Sequence, residues 1–250
     1  MQFSRLTLVF LALTTWGIAQ DQPAAKTDAP PAAAQPTTPK DQAPAQAAPS
    51  GPAVDAASVK GSTFESDYFK FTYELPAGWK ALDDSVRTKS NREVLDQDSE
   101  SAKMAAAAAA AKKASTQAGS KSSAKLPPVS PVVERYSLMA ASPNGVTSLA
   151  SPVLPRINIW AHRRFAPFDS PMEHVRLAIS GKHSSVLVAP QEVTYNGHTF
   201  ARVQLITPGG QYQARYIIEM GDYLVGFDFW TDSERELVEL SDTIKSVRFQ

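Results

Sequence analysis

The chain has 250 residues, 43% of them apolar, with 25 basic against 25 acidic side chains and no cysteine. Balanced charge supplies no field to draw it onto nucleic acid or an anionic membrane, and the lack of cysteine excludes disulfides, thiol catalysis, cysteine-ligated zinc and a lipobox lipid anchor. Much of the sequence is low in complexity, so one folded domain is expected rather than two.

The N-terminus has the grammar of an export signal. Arg5 is the positive flank, Leu6 to Leu13 a short apolar run, and Gly17-Ile18-Ala19 a small-residue cleavage site, so residues 1–19 are expected to be removed. The alternative, a retained membrane anchor, needs roughly 20 apolar residues where this run has about a dozen. Residues 20–61 then read as a disordered Ala/Pro-rich linker: almost nothing in them is large and apolar, so ordering entropy is not offset, and the scattered prolines favour an extended spacer.

The folded domain is expected over residues 62–250. In Tyr68 to Tyr73, Phe69, Phe71 and Tyr73 alternate with polar side chains, the period of a half-buried strand. Leu75-Pro-Ala-Gly-Trp79 turns the chain, with Trp79 as a plug at the end of the core. A low-complexity Ala/Lys/Ser-rich insertion interrupts the domain at about residues 85–131. The run Ala105 to Ala111 within it predicts an exposed helix, because alanine favours helix strongly but offers little area to pack. The insertion reads as a partly helical surface excursion, with a mobile docking arm as the alternative.

Val132 to Ala140 and Arg156 to Ala161 are the next strand candidates. Ser170 as N-cap, Pro171 in the first turn, Glu173 to complete a capping box and Gly181 as stop mark a helix with Met172, Val175 and Ile179 as its apolar stripe. A second helix starts at Asp232 or Ser233, turns Leu237, Val238, Leu240 and Ile244 inward, and is followed by a last strand at Val247 to Phe249.

Between them lies a three-stranded meander. With Gly221-Asp222 as a two-residue hairpin loop, Met220 opposes Tyr223, Ile218 opposes Val225, Tyr216 opposes Phe227 and Ala214 opposes Phe229. With Gly209-Gly210 as another, Thr207 opposes Tyr212, Leu205 opposes Ala214, Val203 opposes Tyr216 and Ala201 opposes Ile218, all on the same core face. The second face then carries a row of Gln204, Arg215 and Asp228, with Arg202 and Ile217 on one side and Gln213 and Trp230 on the other. Arg215 and Asp228 are expected to form an exposed cross-strand ion pair, and Val193, Tyr195 and Phe200 to lie under cover on this face, with the Ser170 helix above one end and the other end open.

The aromatic strand running into Leu75-Pro-Ala-Gly-Trp79, and the ending Gly221 to Trp230, helix, Ile244-Lys-Ser-Val-Arg-Phe249, resemble the PsbP-like superfamily, which includes the extrinsic photosystem subunit, the Ran-binding Mog proteins and DcrB-like envelope proteins. The resemblance spans about residues 62–249 apart from the insertion, which departs from the simplest form of the pattern. It implies an α+β fold with an antiparallel sheet flanked by helices, the meander being followed by a helix and a short strand, used as a binding or assembly module. It carries over no binding residue.

Catalytic motifs are missing from the sequence: no nucleophile elbow, no His-Glu-x-x-His pair, no P-loop and no dinucleotide-binding glycine turn occurs. The four histidines, His162, His174, His183 and His198, read as surface residues without a carboxylate partner. No catalytic residue, cofactor or metal is therefore assigned. His162-Arg163-Arg164 is a compact basic cluster suited either to an anionic group or to solvent. The expected function is that of an exported, periplasmic or secreted, non-enzymatic module. It would present Arg202, Gln204, Arg215, Asp228 and Trp230 to a protein or peptide of the cell envelope, with no nucleic acid, no spanning segment after cleavage and no oligomeric state specified. The alternative is an envelope-polymer hydrolase with its site on the same face.

Overall fold

The computed structural model describes residues 52–117, 134–165, 168–180 and 184–250. The expected signal segment, the expected linker as far as Gly51, the end of the expected insertion together with the start of the Val132 strand candidate (118–133), and Gly181 and His183 lie outside them. The elements in chain order are β1 (Ala57–Lys60), β2 (Thr63–Ser66), β3 (Phe71–Glu74), β4 (Lys80–Ala81), α1 (Asp84–Gln117), β5 (Arg135–Ser142) and β6 (Arg156–Arg163). They continue with α2 (Pro171–Ile179), β7 (Ser185–Tyr195), β8 (His198–Ile206), β9 (Tyr212–Met220), β10 (Tyr223–Thr231), α3 (Glu234–Ser241), a 3-10 turn (Asp242–Ser246) and β11 (Arg248–Phe249).

The α+β class is as expected, including the meander β8-β9-β10, the helix and the short last strand. The strands form two antiparallel sheets rather than one: a small sheet in the order β1-β2-β3-β11 and a large one in the order β4-β5-β6-β10-β9-β8-β7. Phe64, Phe71 and Tyr73 of the small sheet, together with Leu237 and Leu240 of α3, share the main core with Ile157, Ile159, Tyr216, Phe227 and Phe229 of the large sheet. Phe71 lies 5.5 Å from Phe227 between ring centroids, a spacing at which aromatic pairs add to simple burial. On the opposite face α2 seats Val175 over Ala201, Val203, Leu205, Ile217 and Leu224.

Local chemistry accounts for the helix ends. The Ser170 hydroxyl accepts from the Glu173 backbone N–H, Pro171 opens α2, and Ser233 caps α3 in the same way through Glu236. Leu237, Leu240 and Ile244 are buried as expected, whereas Val238 is exposed.

Four expectations are corrected. Tyr68 does not begin a strand: the Lys70 N–H bonds back to the Ser66 carbonyl with Lys70 at φ 54, making a turn that still buries Phe69 before β3 starts at Phe71. The end of the expected linker is structured, since Ala57–Lys60 pairs with Thr63–Ser66 as β1. The insertion is anchored where it starts. Arg87 and Asn91 of α1 are buried, and Arg87 donates to the carbonyls of Asp55 at 3.0 Å and Ala57 at 2.8 Å, while Asn91 exchanges hydrogen bonds with the backbone of Ser137.

The fourth correction is one of register. β10 pairs with β9 as the Gly221-Asp222 turn requires, Tyr216 opposite Phe227 and Arg215 opposite Asp228. β8, however, pairs with β9 one residue out from expectation: Val203 lies opposite Arg215, Arg202 opposite Tyr216 and Gln204 opposite Ala214. Thr207, not Pro208, closes the loop. Its N–H donates to the Gln211 carbonyl, the Gly210 N–H returns to the Thr207 carbonyl, and Gly210 sits at φ 78. This is a three-residue loop ending in a left-handed glycine, and Pro208, which has no N–H to give a ladder, belongs inside it. A slip of one residue moves every side chain of β8 to the other face. Ala201, Val203 and Leu205 therefore meet α2, while Phe200 joins the main core with Val193 and Tyr195 packed beside it.

Candidate functional site

The α2 face of the large sheet carries an unusual density of polar groups for a covered surface. Its rows are set by the registers of β6, β10 and β9: Asn158, Asp228 and Arg215 in one row, Arg156, Trp230 and Gln213 in the next, and Trp160 with Gly226 and Ile217 on the other side.

At the centre Arg215 grips Asp228 in a forked pair, Nε to one carboxylate oxygen and an η nitrogen to the other, both at 2.7 Å. The pair is not exposed as expected, for only 6% of the Asp228 side chain and 20% of the Arg215 side chain is accessible. Burial acts to lower the Arg215 pKa but is outweighed by the Asp228 charge and its hydrogen bonds, so the guanidinium stays charged. Arg156, from β6, is lowered by burial and partly restored by the same carboxylate, and it donates to the carbonyls of Leu149 and Ser151.

Trp160 lies flat across this network. A Cβ on Gly226 would stand 2.1 Å from its indole, so the glycine is what lets the ring settle onto the sheet. The Arg215 guanidinium lies 5.8 Å from the indole centroid, and His174 of α2 stacks against the same indole at 5.1 Å. His162, the next side chain on this face of β6, is edge-on to His174 at 5.9 Å and flanked by Phe165 and Phe168. Neither histidine is the surface residue expected from sequence: His162 is 7% exposed and His174 is half-buried, and burial first of all holds both imidazoles down at about pKa 4.

Of the five candidates for a binding face, the structure brings Arg215, Asp228 and Trp230 together and sends two elsewhere. Arg202 and Gln204 point to the α3 side, where the Arg202 guanidinium lies 5.6 Å from the Tyr216 ring and burial lifts the Tyr216 phenol to about 12. Gln213, which the sequence places beside the row but does not single out, joins Trp230 instead. Trp230 and Gln213 stand opposite each other on β10 and β9, and the indole N–H and the amide nitrogen are both sealed from solvent and without a hydrogen-bond partner among the described residues. The basic cluster is also separated: His162 faces inward, Arg163 pairs with Glu134 at 2.9 Å, and Arg164 pairs with Glu219 and donates to the Asp169 carbonyl. Both arginines line an open depression of about 420 Å³ with Phe165, Asp169 and Asp222, in which acidic and basic groups balance.

Two signals pointed to the missed residues. A lone glycine inside a strand of large apolar residues, Gly226 between Val225 and Phe227, marks a close approach by something bulky. A proline directly before two glycines, Pro208-Gly209-Gly210, marks a loop longer than two residues.

No protein-family model matches the chain, and no curated protein matches it. Similar solved structures include the solution structure of cyanobacterial PsbP (CyanoP) from Synechocystis sp. PCC 6803, 10% identical, with a TM-score of 0.38, covering 83% of this chain and 99% of that one. A protein of unknown function, PA94 from Pseudomonas aeruginosa, is 9% identical with a TM-score of 0.30, covering 47% of this chain and 83% of that one. The likeness to PsbP is one of structure and is weak. Among the described residues no helix is long and apolar enough to cross a membrane.

Proposed function

We propose that this chain is an exported, non-enzymatic binding or assembly module that holds a protein or peptide of the cell envelope on the row Arg156, Trp230 and Gln213. The observation that carries the reading is the pair of donors on that row, the Trp230 indole N–H and the Gln213 amide, sealed from solvent with no acceptor among the described residues. A buried donor without a partner costs about 1–3 kcal/mol, so such groups are retained where something else completes them. Arg215 and Asp228 satisfy each other and serve as a rigid floor, and the covering group is one rich in acceptors, such as the carbonyls of an extended peptide or a carboxylate.

The test is capture of partners from the native envelope by the immobilised mature protein. Trp230→Phe and Arg156→Lys, which keep most of the packing, are expected to reduce capture at least tenfold while leaving thermal unfolding close to the parent, because tryptophan and arginine dominate interfaces. Unchanged capture by both variants would remove the row from the reading. Release of soluble fragments from envelope polymer by the purified domain would replace it with the hydrolase alternative.

A further inference from the structure

The two imidazoles between α2 and the sheet have no part in the row just described. Both ring nitrogens of His162 and Nδ1 of His174 are sealed from solvent and have no hydrogen-bond partner among the described residues. What surrounds them is apolar and aromatic: Trp160 against both rings, Phe165 at 5.2 Å from His162, and Phe168 at 5.8 Å from His162 and 5.1 Å from His174. The charged groups that face the pair are unfavourable to a proton. Arg135 of β5 lies opposite His162 in the register and repels it, and Arg215 of β9 repels His174. The carboxylate that favours a proton on His174 is Asp228 of β10, already committed to both hydrogen bonds from Arg215. On α2 itself Glu173 bonds to the Ser170 hydroxyl, and Arg176 stands in the last turn.

α2 is poorly able to resist a charge beneath it. It has nine residues, too few to persist as a helix without packing, and its buried anchor is Val175. We propose that His162 and His174 form an acid-sensitive latch: neutral, they seal α2 onto the sheet, and protonation of either frees α2 and uncovers the apolar strip Ala201, Val203, Leu205, Ile217 and Leu224.

The sign follows from linkage. The packed state holds both imidazoles at about pKa 4, and release returns them to the ordinary 6.5. The latch is fully closed above pH 6.5 and loses its advantage as pH falls from there toward 4. At pH 5 the released state gains about 30-fold over the packed state for each histidine that is fully exposed.

Amide hydrogen exchange, corrected for the intrinsic effect of pH, measures the opening of α2 at pH 7 and pH 5, with α3 as the internal reference because it packs on the other face. Between pH 7 and pH 5 protection in α2 is expected to fall by about 20-fold or more while α3 is unchanged. His162→Gln combined with His174→Gln removes both titrations and is expected to give the same α2 protection at the two pH values. The imidazole resonances of His162 and His174 in the parent, which need no variant beyond assignment, are expected to titrate with midpoints well below 6.5. Equal α2 protection at pH 7 and 5, parallel loss of protection in α3, or midpoints at 6.5 for His162 and His174 in the folded protein would each overturn the latch.

Discussion

Asp228 accepts two hydrogen bonds from Arg215 at a site where almost none of its side chain is accessible. Removing one member of such a pair leaves the other charged in a place that does not hydrate it, so Asp228→Ala is expected to cost about 3–5 kcal/mol in chemical denaturation. A loss under about 1 kcal/mol would mean that the pair behaves as a solvated surface contact. Replacing both members, Arg215→Met with Asp228→Leu, is expected to cost less than either single truncation, because no stranded charge remains. Gly226 beneath Trp160 makes a second test at one atom. Gly226→Ala places a methyl group 2.1 Å from the indole and is expected to destabilise by about 1–3 kcal/mol. In a Trp160→Ala background the indole atoms nearest the methyl are gone, so the two costs are expected to be non-additive by more than about 0.5 kcal/mol. Additive costs would place the strain elsewhere.

Between the elements, the β9–β10 hairpin was readable from sequence and the β8–β9 hairpin was not, for one physical reason. Gly221-Asp222 leaves both flanking residues free to pair, so counting outward from the turn gives the observed register. Pro208 has no N–H, and with Gly210 in the left-handed region the loop takes up one more residue, which exchanges the two faces of β8. Arg202 and Gln204 followed β8 to the α3 side, whereas Arg215, Asp228 and Trp230 stayed together because their register came from the other turn. The loop geometry is testable by glycine scanning. A two-residue hairpin loop demands positive φ at its first position, and in the type I′ form at its second as well. Here Gly210 is at φ 78 and Gly209 is not in that region. Gly210→Ala is therefore expected to lose about 1–2 kcal/mol and Gly209→Ala a few tenths at most, measured by urea unfolding. Equal losses would support the shorter loop.

At the scale of the molecule, the alternation in β3, the Gly221-Asp222 turn between β9 and β10 and the capping box of α2 announced the α+β class, since each is local. The division into two sheets was not legible, because it depends on which distant strands meet and no short-range pattern encodes that. The insertion boundary failed likewise. The polar residues after Asp84 look unpackable one by one, yet Arg87 reaches four backbone or side-chain partners on three segments, at Asp55, Ala57, Asp84 and Ser137. The dispensable part of α1 starts only beyond these anchors. Further along, Asp98 meets Arg135 at 3.4 Å in an exposed pair, and Met104 is 68% exposed. Deleting residues 101–130 and joining the ends by a flexible Gly/Ser linker removes no described core contact. It is expected to move the melting temperature by no more than about 2–4 °C, the equivalent of about 1 kcal/mol in a domain of this size. Arg87→Ala, by contrast, strands carbonyls of the β1 lead-in and of β5 and is expected to cost about 1–3 kcal/mol, with faster proteolysis ahead of β1. A deletion that lowers the melting temperature by more than about 10 °C would show that the distal helix is part of the packed domain, whereas a silent Arg87→Ala would show that α1 rests against the sheets without tying them together.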